Sequence, residues 1–323
     1  MSVTAPVAIE TRPLGQSGFA TPRIALGCGN FGGIGSSPAF FGQGADEEMA
    51  FAIMDAAWDL GISHFDTADA YGGGRSETII GNWMHSRVHT PLLTTKTYNP
   101  MAEGADSGLA PDRLRRQLQS SLERLGTDHV DLYLTHEYDP DVPPAEVVAT
   151  LEELRAQGLI RASGVSNYDS AQLRETLAAG HVDAIQNNYS LLVREDERSG
   201  LLALCAAEQV TYTVYSPLAG GWLTGKYRRG EEFPQGSRMT QRPEGYVTFQ
   251  TDAVFDALET LQAIGAARGI SMAAAALSWL LGSEQVGGIV VGPMRPEHLE
   301  PVREALESPL GPVDRRAIGE LFA

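Results

Sequence analysis

Along the chain, short apolar runs alternate with longer stretches whose apolar residues recur at helical spacing. Arg23–Gly27, Ile62–Asp66, Leu92–Lys96, Val130–Thr135, Ile160–Val165, Ala184–Asn187, Val210–Tyr215 and Gly288–Val291 read as strands. Between them, Asp46–Leu60, Ser76–Met84, Pro111–Leu125, Pro144–Gln157, Ser170–Ala179 and Leu201–Glu208 read as helices. Helical stretches at Ala253–Arg268 and Ser271–Leu281 precede the last strand, and two more, Pro296–Leu306 and one near Asp314–Leu321, follow it. The punctuation agrees: Asp46 suits an N-cap, and Gly61 and Gly126 fall where helices should stop. Thr11–Ala20 predicts a hairpin turning around Gly15–Gly18, and Ser216–Asp252, rich in Gly, Arg, Pro and Thr, is a long connection of the kind that is often functional.

Eight strands in β/α alternation over 323 residues predict an α/β fold, a (β/α)8 TIM barrel with an N-terminal β-hairpin and extra helices near the C-terminus. A doubly wound parallel sheet shares the alternation and is the competing architecture. No linker or shift of composition divides the chain, so one domain over residues 1–323 is expected.

Composition narrows the function. At 43% apolar residues the chain can bury a large core. Its 24 basic residues against 41 acidic ones give a net charge of −17, which argues against nucleic acid as a partner but leaves room for a small anionic ligand at a local basic site. The opening MSVTAPVAIETRPLG has no basic-then-apolar signal pattern, and the longest apolar run, Met272–Leu281, is too short to span a bilayer. A cytoplasmic protein without a membrane partner is expected, of open oligomeric state. Cys28 and Cys205 make no disulfide framework. Of the 24 basic residues, 22 are Arg and two are Lys, Lys96 and Lys226, so each lysine is informative.

The polar residues at the strand ends carry the chemistry, because a barrel places its site at that face. The second strand ends in Phe65-Asp66-Thr67-Ala68 and leads to Tyr71; the third ends in Lys96, the fourth in His136, the fifth in Ser166-Asn167, the sixth in Gln186-Asn187 and the seventh in Tyr215-Ser216-Pro217. Each taken singly has an ordinary explanation as a cap, a turn or a packed core residue; their joint placement is the signal. A phenol with a reference pKa of about 10 exchanges protons poorly at neutral pH, and an adjacent ammonium lowers that pKa. A carboxylate would hold the lysine charged, and a histidine could hydrogen-bond the reacting oxygen. Asp66, Tyr71, Lys96 and His136 thus suit proton transfer at a carbonyl or alcohol, with a hydride carrier as the redox partner.

Phe65–Gly72 (FDTADAYG), Thr94–Lys96, Asp131–His136 (DLYLTH), Ile160–Tyr168 (IRASGVSNY) and Tyr215–Lys226 (YSPLAGGWLTGK) together resemble the aldo-keto reductase superfamily. The similarity runs from about Leu14 to the C-terminus and looks closest to the bacterial branch that also resembles potassium-channel β subunits. The resemblance implies that Tyr71 is the general acid in reduction of an aldehyde, ketone or keto-sugar, tuned by Asp66 and Lys96, with His136 orienting the carbonyl. It implies that Ser166, Asn167 and Gln186 bind the nicotinamide carboxamide and that Tyr215 stacks on its ring. Ser216, Pro217, Leu218, Gly220, Leu223, Gly225 and Lys226 match the segment over the pyrophosphate. At the adenosine end Gly292, Arg295 and His298 remain as contacts, while the expected Gln or Glu followed by Asn is replaced by Pro301 and Val302. Arg295 suits a phosphate, which makes NADPH the first choice of cofactor and NADH the alternative. Phe31, Tyr98 and Trp222 are expected to form an apolar substrate rim.

Other signals are weaker. Gly27–Gly32 (GCGNFG) follows a strand but opens into no helix, so it reads as the first β/α loop rather than a dinucleotide fingerprint. His85 and His89 lack the glutamate of a zinc helix, Pro91 is placed to end that helix, and no metal site is expected. Two other functions stay open: a barrel lyase using Lys96 as a Schiff-base amine, and a sensor subunit that binds NADPH but turns over slowly.

Overall fold

The computed structural model describes residues 8–323, so the first residues read above for a targeting signal lie outside them. An antiparallel hairpin comes first, β1 (Thr11–Pro13) with β2 (Ala20–Pro22). Eight parallel strands follow: β3 (Ile24–Gly27), β4 (His64–Asp66), β5 (Leu92–Thr97), β6 (Val130–Thr135), β7 (Ile160–Ser166), β8 (Ala184–Asn188), β9 (Thr211–Tyr215) and β10 (Gly288–Val291). Each pairs with the next, and β10 pairs back onto β3, so the sheet is a closed barrel and not the open, doubly wound alternative.

The outer layer contains α1 (Glu47–Asp59), α2 (Arg75–Arg87), α3 (Pro111–Leu125), α4 (Pro144–Ala156), α5 (Ser170–Ala179), the short α6 (Glu195–Arg198) and α7 (Leu201–Ala207). The long connection after β9 carries a 3-10 turn (Ala219–Thr224) and α8 (Arg238–Gln241); it leads into α9 (Asp252–Ala267) and α10 (Met272–Leu281), and α11 (Glu300–Glu307) and α12 (Pro312–Glu320) close the chain. Local chemistry sets these boundaries. Asp46 accepts the Met49 amide as the α1 N-cap, and Gly126 ends α3 at φ 66°. The helix read at Ser76–Met84 continues to Arg87 and is ended by Val88 in a left-handed conformation (φ 57°), not by Pro91. The stretch read as one helix over Pro296–Leu306 is a 3-10 turn followed by α11, with Pro301 in the first turn of that helix, where a missing N–H costs nothing.

Among the described residues no single helix is long and apolar enough to cross a membrane; α9 and α10 reach that length only as a pair bent by 89°, and α10 is almost wholly buried in the core.

The hairpin plugs the N-terminal end of the barrel. Leu14 is buried against Leu132, Leu134, Ala162 and Ala184 from β6, β7 and β8, with Phe19 beside it. Gly15 makes the close approach, since a Cβ there would stand 2.4 Å from the Asp183 carbonyl oxygen at a φ of +50°. With that end closed, the opposite end is left for chemistry. Leu14→Ala should cost about 2–5 kcal/mol of unfolding free energy in chemical denaturation; a loss below 0.5 kcal/mol would mean that the plug bears no packing load.

Candidate active site

The strand ends bring the expected residues together. Asp66 ends β4, Lys96 lies one residue from the end of β5, and His136 follows β6. Lys96 Nζ donates to Asp66 Oδ1 at 2.5 Å and to the Thr67 carbonyl at 2.9 Å, and Asp66 Oδ2 accepts the Gln186 amide from β8 at 2.8 Å. Tyr71 opens a 3-10 turn (Tyr71–Gly74) that passes through left-handed Gly72 and Gly73, and its ring packs edge-on to His136 with centroids 5.5 Å apart. Lys96 Nζ lies 5.3 Å from the Tyr71 ring centroid. Asp66, Tyr71, Lys96 and His136 therefore converge on one point.

The electrostatics differ from the sequence expectation in one respect. Burial pushes the Tyr71 phenol above its ordinary pKa, and the charge and hydrogen bond of Lys96 only partly offset this. Lys96 itself stays an ammonium: burial lowers its pKa, but Asp66 and Tyr71 more than reverse that. Burial and then the Lys96 charge drive His136 down to about 3, so its imidazole is neutral, and its Nδ1 is buried without a partner. The group is a protonated phenol, an ammonium and a neutral imidazole side by side.

Toward the barrel's other side, Asn167 sits at φ 61° and acts as a hub. Its amide nitrogen donates to the His136 carbonyl (2.9 Å), to Ser166 Oγ (3.2 Å) and to Glu137 Oε1 (3.3 Å). Its side-chain oxygen accepts the Tyr215 hydroxyl at 2.6 Å. Ser166 Oγ donates to the Gln186 carbonyl at 2.6 Å. Ser166, Asn167, Gln186 and Tyr215 are thus one hydrogen-bonded patch adjoining Asp66.

The connection after β9 turns through left-handed Ser216 (φ 52°), Ala219, Gly220, Gly221 and Gly225. A Cβ on Gly221 would stand 2.4 Å from Lys226 Nζ, and one on Gly220 would meet the Tyr246 ring at 2.6 Å, so the bare backbone lets both side chains lie across the loop. Lys226 has no carboxylate within 4.0 Å among the described residues, and its charge, with that of Arg295, is felt at His298, whose pKa burial already lowers. This is a basic cluster beside a small-residue cradle, and it fits the phosphates of a dinucleotide. Gly292, Arg295 and His298 are exposed there, while Val302 is 2% exposed and belongs to the core, so α11 offers no polar group at that position.

Three expectations need correction. Trp222 is fully buried among Tyr227, Phe233, Phe249 and Phe255, with its Nε1 on Met239 Sδ at 3.4 Å; it anchors the long connection and does not line a substrate rim. Phe31, in the loop after β3, is likewise fully buried. Leu223 is buried and its amide returns to the Leu218 carbonyl at 3.3 Å, so it shapes the cradle from inside. Tyr98 is half-exposed after β5, near Asp139 and Glu137, and remains available. His89 stacks on Trp58 at 4.3 Å, a packing role, and no cluster of three or more metal-ligating side chains occurs among the described residues.

Two acidic residues outside the expected site positions, Asp69 and Glu137, also have raised pKa values. Asp69 is fully buried, accepts the Thr97 hydroxyl at 2.6 Å, and is raised by burial to about 7. Glu137, raised by burial to about 6, had a usable signal in its adjacency to His136.

The Aldo/keto reductase family model matches residues 23–321. The chain belongs to the aldo-keto reductase family. It is 32% identical to an NADH-specific methylglyoxal reductase of Escherichia coli over 96% of this chain and 97% of that one. It is 30% identical to an NADP(+) aldo-keto reductase of Schizosaccharomyces pombe over 97% and 92%. Among solved structures, a glycerol dehydrogenase of Gluconobacter oxydans superposes with a TM-score of 0.81 at 25% identity, covering 100% of this chain and 96% of its own. This aldo-keto reductase is therefore an oxidoreductase of a family that uses nicotinamide cofactors.

The low pKa of His136 is testable directly. Its neutral form contributes stability above the ordinary value of 6.5 that is lost as pH falls toward about 3. The His136 ring signals in NMR should not move between pH 5 and 8; a titration midpoint inside that window would show that the imidazole can charge.

Proposed function

We propose that this aldo-keto reductase reduces an aldehyde or ketone, keto-sugars included, to the alcohol, with Tyr71 giving the proton to the carbonyl oxygen. The observation that carries the reading is the convergence of the Tyr71 phenol on an ammonium 5.3 Å from its ring and a neutral imidazole beside it. When bound, a reduced nicotinamide would supply the hydride for the carbonyl carbon. The chain's own groups do the rest. His136, neutral, orients the carbonyl by a hydrogen bond. Tyr71, protonated at neutral pH, is the donor. As its proton leaves, the phenolate gains the field of Lys96, which Asp66 holds in place. That stabilisation grows as negative charge develops, which is where it accelerates the reaction.

Asn167, Ser166 and Gln186 supply amide and hydroxyl groups for the nicotinamide carboxamide, and Tyr215, fixed by Asn167, supplies an aromatic face for its ring. Ser216, Pro217, Leu218, Gly220 and Gly225 form the cradle for the pyrophosphate, and Lys226 lies over it. The charges of Lys226 and Arg295, with His298 as a neutral polar neighbour, favour NADPH; NADH is the alternative, since one relative is named for each cofactor. The Schiff-base reading is disfavoured because a nucleophilic lysine must shed its proton, and Asp66 raises the Lys96 pKa. A slow-turnover sensor would share this site, and turnover decides between them.

Tyr71→Phe should bind NADPH as the parent does and lose about 10²–10⁴ in kcat; reduction of a good aldehyde at the parental rate would remove the acid role. Lys226→Ala should weaken NADPH binding by about tenfold in a fluorescence titration, with a smaller effect on nicotinamide mononucleotide, which lacks the pyrophosphate. Equal losses for the two ligands would place Lys226 elsewhere.

A further inference from the structure

The loop between β3 and α1 is a wall of the Tyr71 site. Gly29 lies so close that a Cβ on it would stand 3.4 Å from Tyr71 Cε2. The Gly35 amide donates to the Gly29 carbonyl at 2.6 Å, and the Gly35 carbonyl accepts the Gly72 amide at 3.3 Å. Gly35 is therefore bonded both to the glycine that faces the phenol ring and to the glycine that follows Tyr71 in the chain.

Two arginines reach this wall. Arg242, at the C-terminal end of α8, donates through Nη1 to the Ile34 carbonyl at 3.5 Å, and the same nitrogen would be 3.6 Å from a Cβ on Gly35. Its guanidinium lies 4.9 Å from the centroid of the Phe40 ring, a cation–π contact. Arg75, at the start of α2, donates through Nη1 to the Gly72 carbonyl at 2.6 Å, and its Cβ would be 2.5 Å from one on Gly32.

Neither guanidinium has a carboxylate within 4.0 Å among the described residues, and neither Nη2 nor Nε has a protein hydrogen-bond partner there. In a chain of net charge −17 most arginines do pair with a carboxylate, and Arg75 and Arg242 belong to the minority that do not, although carboxylates are abundant. Elsewhere they are used freely: Arg229 alone pairs with Asp252, Asp256 and Glu259. Two cations without a carboxylate partner against one loop raise the local positive potential there. A planar guanidinium with free N–H groups matches the oxygens of a phosphate or carboxylate.

Resting on the reductase reading above, we infer that Arg242, assisted by Arg75, selects carbonyl substrates that carry an anionic group, a phosphate ester or a carboxylate. The anion sits at the wall while the carbonyl reaches Tyr71.

The test uses two matched pairs: glycolaldehyde phosphate against glycolaldehyde, and succinic semialdehyde against butanal. The parent enzyme should favour the anionic member of at least one pair by roughly tenfold to a hundredfold in kcat/KM, and R242Q should lower that ratio at least tenfold. R75Q should lower it less. Independently of any variant, raising the salt from 0.02 to 0.5 M should reduce the parental ratio, because screening weakens the attraction. A response in the phosphate pair alone assigns the phosphate ester, a response in the succinic pair alone assigns the carboxylate, and a response in both assigns anions generally. Parental ratios near one in both pairs, or a ratio that R242Q leaves unchanged, would overturn the inference. Reduction of the neutral aldehydes without such a preference would still leave the reductase reading standing, whereas no reduction of any of the four would sink that reading itself.

Discussion

The ion pair between Lys96 and Asp66 is the constraint around which the open end of this barrel is organised. Taking two charges out of water costs several kcal/mol each, and a pair so buried persists only if its remaining hydrogen-bonding capacity is met. Here it is met: Lys96 also donates to the Thr67 carbonyl, and the second oxygen of Asp66 accepts the Gln186 amide. Three strands, β4, β5 and β8, are joined across the barrel mouth by these bonds. The ammonium then dictates its neighbours' states. It helps keep His136 neutral, and it stands ready to stabilise a phenolate at Tyr71 that burial alone would forbid.

The second organising element is the long connection after β9. Trp222 and its ring of aromatic neighbours are continuous with the main core, which lets a run of residues with left-handed backbone lie in a defined path over the strand ends. One end of that path carries Lys226 across Gly221, and the other brings Arg242 against the loop that walls Tyr71. The connection therefore reaches both the candidate cofactor side and the candidate substrate side, placing uncompensated positive charge on each in a strongly acidic protein.

Several residues read differently in three dimensions. Trp222 and Phe31 looked like rim residues because each sits in a loop near a strand end, yet both are fully buried. Loop membership locates the backbone, while the direction of a large apolar side chain follows from which neighbours can bury it. Asp69 carries no sign in the sequence of being raised toward neutrality, because that shift comes from burial beside Thr97 rather than from an adjacent residue. The Lys96 charge does lower the Tyr71 pKa, as chain order suggests, but desolvation of the phenol outweighs it and leaves no mark in the sequence.

The eight strands and most helix boundaries were determined by the sequence itself, since hydrophobic period, caps such as Asp46 and stops such as Gly126 are local and leave local marks. The alternation of strand and helix also determined which residues share an end of the sheet, so Asp66, Tyr71, Lys96 and His136 could be collected before any distance was known. Tertiary structure decided whether the sheet closed, because pairing of β10 with β3 joins residues at opposite ends of the chain. It decided equally the protonation states, the inward turn of Trp222 and the meeting of Arg242 with Gly35. Each of these depends on through-space burial and charge, and such energies are set by neighbours that the order of residues does not name.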